Sequence, residues 1–146
     1  MKVYPDANVF VALLIDEPHG PAAELFFKKS ADCLFDIVVS KTTLGEVSQR
    51  LENKGTLWLQ NFIDEFKDAK KLEIVQKSEK ETSEAIRLNQ TTGGQFGVND
   101  FIHALLVQRH ADVFVTNDLK FFRTASRMVE TLTLEQFLAI LKPKPG

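Results

Sequence analysis

The stretch GVNDFIHALLVQRHADVFVTNDLKFF, from Gly97 to Phe122, most constrains the fold, because it sets an amphipathic helix directly before a short apolar strand. Asn99 is placed to cap a helix beginning at Asp100, and Phe101, Ala104, Leu105 and Val107 give that helix an apolar side. Asp100 then falls in the first turn, where the helix carries partial positive charge. Val113 to Val115 reads as a buried strand that delivers Thr116, Asn117 and Asp118 to its carboxyl end, after which LKFF returns to helical spacing. An acid in a first helical turn and an Asp after a strand are each common structural features, so this pair alone does not define a site.

The start of the chain repeats the arrangement. In MKVYPDANVF an apolar strand over residues 2 to 5 ends at Asp6, and a short helix running to Ile15 follows. Pro18 and Gly20 break that helix, with His19 solvated in the break. Pro21 to Lys29 is helical, with Ala22, Leu25 and Phe26 on one side, and Phe35 to Val39 is the second strand. Cys33, the single cysteine, excludes an internal disulfide, and its place before an apolar strand points to a buried thiol.

Ser40 leads into KTTLGEVSQRLENKG, where Leu44, Val47 and Leu51 form the inward stripe and Gly55 the stop. Glu46 lies beside that stripe, so it can point toward the same sheet edge as Asp6, although by itself it reads as a solvated helix acid. Thr56 to Lys70 gathers Trp58, Leu59, Phe62, Ile63 and Phe66 on one broad face, which packs within the fold or serves a dimer or partner surface. Leu72 to Val75 is a third strand. Ser78 with Glu81 forms a capping box for a helix running to about Asn89. Thr91 to Gly97 is glycine-rich but lacks any phosphate-loop or dinucleotide fingerprint. Met128 to Thr131 is the last strand, and a helix begins at Thr133 and ends at Leu141.

With 146 residues, 44% hydrophobic and 26% charged, the chain is expected to form one domain over residues 1–142 with a flexible tail at 143–146. The longest apolar run, VFVALLI, is too short to span a bilayer and follows no basic region beyond Lys2, so a cytoplasmic protein is expected. A net charge of -2 argues against a broad basic surface, so any nucleic acid must be held by a local patch or by metal ions.

Strands alternating with helices imply a mainly parallel sheet covered on both faces, with reactive groups collected at the carboxyl ends of the strands. Asp6 and Asp118 leave strands, while Glu46 and Asp100 sit on helices that can lean over the same edge. Strand-Asp-x-Asn at Asp6 and Asn8, Glu46 within TTLGEV, Asp100 within NDFIHALL and Asp118 within VTNDLKFF together resemble the PIN-domain family of ribonucleases, in order and over nearly the whole chain. The resemblance implies a three-layer α/β/α fold whose five-stranded parallel sheet has the order 3-2-1-4-5. It also implies a catalytic and metal-binding set of Asp6, Glu46, Asp100 and Asp118 that takes Mg²⁺ or Mn²⁺.

Small relatives of this type include toxins of VapBC toxin-antitoxin pairs, which cleave RNA and are restrained by a partner protein. The implied partners are therefore RNA, an antitoxin protein and a second copy of the chain in a homodimer, with no membrane. Asn8, Thr116 and Asn117 are expected to orient the carboxylates or a coordinated water. Lys41, Arg50, Lys120 and Arg123 are candidates for RNA phosphates. Lys120 stands where many relatives carry a further acid, which lowers the negative charge near a second metal position.

The chemistry suits these residue types, because hydrolysis of a phosphodiester needs positive charge against an anionic backbone and carboxylates are the hard donors that Mg²⁺ and Mn²⁺ take. His103, three residues after Asp100, lies on the same helical side and is expected to be packed or hydrogen-bonded. Two other readings compete. A haloacid-dehalogenase type phosphatase needs a second acid two residues after the first, where this chain has Asn8. A catalytically inert PIN-like module would bind RNA or protein without turnover.

Overall fold

A computed structural model describes residues 1–15, 18–52 and 54–141. The tail expected at 143–146 lies outside the described residues. In chain order the elements are β1 (Lys2–Pro5), α1 (Ala7–Val11), α2 (Gly20–Ala31), β2 (Asp36–Ser40), α3 (Lys41–Arg50), α4 (Thr56–Asp68) and β3 (Leu72–Val75). They continue with α5 (Glu79–Thr91), α6 (Val98–His110), β4 (Val113–Val115), α7 (Leu119–Ser126), β5 (Thr131–Leu132) and α8 (Leu134–Ile140). The strands form one sheet in the order β3-β2-β1-β4-β5, with every pairing parallel. This is the order that the resemblance to the PIN-domain family implies.

Strand alternation divides the core into two layers. Val3, Ile37, Val39, Val113 and Val115 point to one face and pack with α1, α2, α4 and α8 through Phe10, Phe26, Phe27, Leu59 and Phe137. Tyr4, Val38 and Phe114 point to the other, against Ala85 of α5, Phe101, Ile102 and Leu106 of α6, and Phe121 of α7. The aromatic face of α4 is absorbed by the first layer. Trp58 stacks on Phe62 at 5.1 Å between ring centroids and Phe62 on Phe66 at 4.7 Å, while Phe27 meets Phe62 edge-on at 5.0 Å. Leu59 and Ile63 are buried beneath them.

Several local expectations are corrected. The buried side of α2 is Ala23, Phe26, Phe27 and Ser30, and Leu25 is exposed. Helix α6 starts at Val98, with Gly97 at its N-cap, because the Asp100 carboxylate reaches back to accept from the Gly97 N–H at 3.2 Å; Asn99 is not the cap. Leu106 takes the buried place assigned to Leu105. Helix α1 ends at Val11, and the last strand is Thr131–Leu132. Cys33 is exposed, since it occupies the tight turn between α2 and β2 with a left-handed φ of 67°, and Lys71 Nζ donates to its Sγ. The capping box of Ser78 and Glu81 is present, and Arg109 of α6 closes on Glu81 at 2.9 Å, tying α5 to α6.

Candidate active site

Parallel pairing of β1 and β4 brings the carboxyl ends of both strands together, with Pro5 opposite Val115. The Asp6 N–H extends this seam by donating to the Val115 carbonyl at 3.0 Å, so Asp6 leaves the sheet at its centre. Its side chain caps α1: Oδ1 accepts from the Asn8 N–H at 2.9 Å, and Oδ2 accepts from the Thr116 hydroxyl. Thr116 in turn accepts from the Asp118 N–H at 3.0 Å, and Asp118 caps α7 by accepting from the Lys120 N–H at 3.2 Å. One hydroxyl therefore joins the ends of β1 and β4.

Glu46 comes from α3, where it neighbours the buried Val47, and its Oε1 accepts from His103 Nε2 on α6. One turn before His103 on the same helix stands Asp100. The four acids line one cleft of about 80 Å³ together with Asn8, Arg50, His103 and Thr116. Such a volume holds a few water-sized groups. Four larger clefts on the surface are lined by none of the four acids.

Burial sets the electrostatics. Asp6 is 8% exposed, and loss of hydration pushes its carboxyl up to about 6, against the pull of the Thr116 hydroxyl, the nearby His103 and the Asn8 N–H. Asp100 is also raised, first by burial and then by the charges of Asp118 and Glu46, while the Gly97 N–H and His103 act in the other direction. Asp118 and Glu46 are close enough to Asp100 to disfavour its charge.

Not every expected residue faces this cleft. Asn8, Thr116 and Arg50 do. Asn117 turns its Oδ1 to the Leu134 N–H at 3.2 Å, starting α8, and lines an adjoining cleft of about 240 Å³ with Asn8, His19 and Arg50. Lys41 belongs to a separate cleft of about 620 Å³ beside Lys77 and Ser78. Lys120 and Arg123 are exposed on α7 and line none of these three clefts. His19 Nδ1 is hydrogen-bonded with Glu135 Oε1 at 2.8 Å.

Beneath Glu46 lies His103, packed and hydrogen-bonded as its helical position suggested, together with Tyr4, Ser40 and Thr43, which sequence spacing did not link to the site. The Tyr4 hydroxyl lies 2.7 Å from both Ser40 Oγ and His103 Nδ1, with Thr43 Oγ1 at 3.2 Å. All four side chains are buried, and burial pushes the Tyr4 phenol up to about 12. The available signal was Ser40 followed by two threonines at a helix start, which reads as capping alone.

The donor chemistry fits a divalent cation: four carboxylates, all hard oxygen donors, at one small cleft. Among the described residues Glu46 Oε2, Asp100 Oδ1 and Asp118 Oδ2 accept no hydrogen bond and remain open to a further partner. With the side chains as they stand, no three acids or histidines among the described residues already enclose an ion.

The five-stranded parallel sheet in the order 3-2-1-4-5 defines a PIN-like α/β fold, and the PIN-domain pattern matches residues 3–127. The chain belongs to the PIN-domain family, whose members are typically nucleases that use divalent metals. Its structure is similar to VapBC2 from Rickettsia felis bound to a DNA fragment from their promoter, at 22% identity and a TM-score of 0.63, covering 91% of this chain and 98% of that one. It is also similar to PAE2754 from Pyrobaculum aerophilum, at 16% identity and a TM-score of 0.62, over 97% of this chain and 95% of that one. FitAcB from Neisseria gonorrhoeae matches at 18% identity and a TM-score of 0.60, over 91% and 98%. No curated protein matches the sequence significantly. Among the described residues no helix is long and apolar enough to cross a membrane.

Proposed function

We propose that the chain is a divalent-metal-dependent endoribonuclease that hydrolyses RNA phosphodiester bonds. The observation that carries this reading is the convergence of Asp6, Glu46, Asp100 and Asp118, each from a different helix or strand end, on one cleft at the carboxyl edge of the sheet. Mg²⁺ or Mn²⁺ bound there would counter the phosphate charge and acidify a coordinated water. The chain itself contributes the frame. Thr116 holds Asp6, the start of α6 holds Asp100, and Arg50 supplies positive charge at the rim for an RNA phosphate. Asn8 stands at the junction of the acidic and adjoining clefts, where the backbone next to the scissile bond would run.

Solved structures similar to this chain include VapBC2 and FitAcB, which supports a role as the toxin of a toxin-antitoxin pair. The partners of that role are an antitoxin protein and a second copy of the chain. Exposed apolar side chains such as Leu57 and Leu119, at 74% and 75%, offer contact area for such assembly. End-labelled single-stranded RNA incubated with the purified chain tests the reading. Internal cleavage that requires Mn²⁺ or Mg²⁺ and stops with chelator is expected; intact RNA under all metal conditions would favour an inert binding module.

A further inference from the structure

Glu46 differs from the other three acids in how it is held. Asp6, Asp100 and Asp118 accept from backbone N–H groups of their own helix starts, so local chain geometry fixes them. Glu46 lies in the interior of α3, beyond the N-terminal N–H groups that a helix leaves open. Its one hydrogen bond among the described residues comes from His103, across from another helix. A glutamate left half-exposed on a helix would otherwise sample several rotamers.

The histidine is in turn held from behind. A carboxylate only accepts, so His103 Nε2 carries the hydrogen toward Glu46. The opposite ring nitrogen meets the Tyr4 hydroxyl at 2.7 Å, and the Tyr4 and His103 rings lie 5.7 Å apart at 58°. Tyr4 gives its one hydrogen to that nitrogen, and its oxygen lies 2.7 Å from Ser40 Oγ, which accepts from the Thr43 N–H at 3.0 Å and so caps the very helix that carries Glu46. The ring therefore ties β1, the end of β2, α3 and α6 into one buried unit.

We propose that His103 is the positioning residue for Glu46: its Nε2–H fixes Oε1 and leaves Oε2 turned to the cleft for a divalent cation, while Tyr4 fixes the imidazole. This rests on the metal-dependent reading above. A hydrogen-bond partner behind a ligating carboxylate typically changes metal affinity by about 10- to 100-fold when removed. Tyr4, Ser40 and Thr43 act one step further back.

The test compares His103→Asn with His103→Gln in the full chain, because the Gln amide can reach the place of Nε2 whereas the Asn amide stops near Nδ1. Manganese affinity is read by the loss of the free Mn²⁺ paramagnetic resonance signal, and RNA cleavage is followed in parallel. His103→Asn should weaken Mn²⁺ binding by about 10-fold or more, with cleavage recovering as Mn²⁺ is raised. His103→Gln should stay near the wild type. Tyr4→Phe, which leaves the ring in place but unfixed, should show a smaller loss in the same direction and carries the comparison if His103→Asn does not fold.

Unchanged Mn²⁺ affinity in His103→Asn, or in Tyr4→Phe where it stands in, overturns the proposal even if the wild type cuts RNA. So does equal weakening in His103→Asn and His103→Gln, which marks a packing role. Wild type that binds Mn²⁺, with the expected order of variants but no RNA cleavage, leaves the positioning role standing and removes the nuclease reading. Wild type that binds no Mn²⁺ overturns both.

Discussion

The Thr116 hydroxyl donates to Asp6 Oδ2 across the seam between β1 and β4, with both residues buried. The same oxygen accepts from the Asp118 N–H. Thr116→Val keeps the shape and leaves a buried carboxylate oxygen and a backbone donor without partners, which should destabilise the fold by about 1 to 3 kcal/mol. Thr116→Ser keeps the hydroxyl and loses one methyl, about 1 kcal/mol or less. Urea unfolding of the two variants in chelator measures the difference; Val no worse than Ser would show that the bond across the seam contributes nothing.

Asp6 makes the metal-free protein pH-sensitive. Its carboxyl titrates near 6 when folded and at 3.8 in the open chain, so between these values the folded state binds the extra proton. Stability from this group is therefore full below about pH 4 and falls as pH rises through 6, by an order-of-magnitude figure of about 3 kcal/mol. Asp6→Asn has no such group. Without metal it should melt at or above the wild type at pH 7, and the gap should close or reverse at pH 4. A variant clearly less stable at pH 7 would make Asp6 a capping residue first, since the Asn8 N–H depends on it.

Metal should reverse that cost. A cation bound only by the folded chain stabilises it by mass action, about 2.7 kcal/mol at 100 times its dissociation constant. Melting temperature in rising Mn²⁺ should climb for the wild type and climb less for Asp6→Asn and Asp100→Asn. Equal shifts in all three would place the cation elsewhere.

The aromatic ladder of α4 belongs to the core. Phe62 touches Phe10, Phe27, Trp58 and Phe66, so Phe62→Ala should lose about 2 to 4 kcal/mol. Leu57, one helical step from Trp58 and 74% exposed, should tolerate alanine within about 0.5 kcal/mol. Comparable losses at both positions, measured at several protein concentrations, would point to an assembly that buries Leu57.

The alternating strands and helices of a parallel sheet were legible from short-range signals, as were the strand-end or helix-start positions of Asp6, Asp100 and Asp118, whereas the 3-2-1-4-5 order and the inclusion of Glu46, inside α3, came from the resemblance to the PIN-domain family. Boundary errors have physical causes. The buried face of α2 sits one residue later than spacing suggested, and Asp100 reaches back to cap α6 in place of Asn99. What could not be read was the cluster beneath Glu46. Tyr4 and Ser40 stand 36 positions apart and Tyr4 and His103 stand 99 apart, and only the pairing of β1 with β2 and the docking of α6 bring them together. The basic residues show the same limit, since Arg50 reaches the cleft whereas Lys41, Lys120 and Arg123 do not line it.

Single-turnover cleavage of labelled RNA by wild type and Asp100→Asn, at saturating Mn²⁺ and matched folded content, tests the central claim most directly. Asp100 starts α6 through the Gly97 N–H, and Asn keeps an acceptor there, so the variant should remain folded. The wild type should cut internally only with metal, and the variant should be slower by about 100-fold or more, the scale on which removing one group that stabilises transition-state charge acts. Cleavage by the variant at the wild-type rate, or wild-type cleavage that persists in chelator, would contradict the four-acid site.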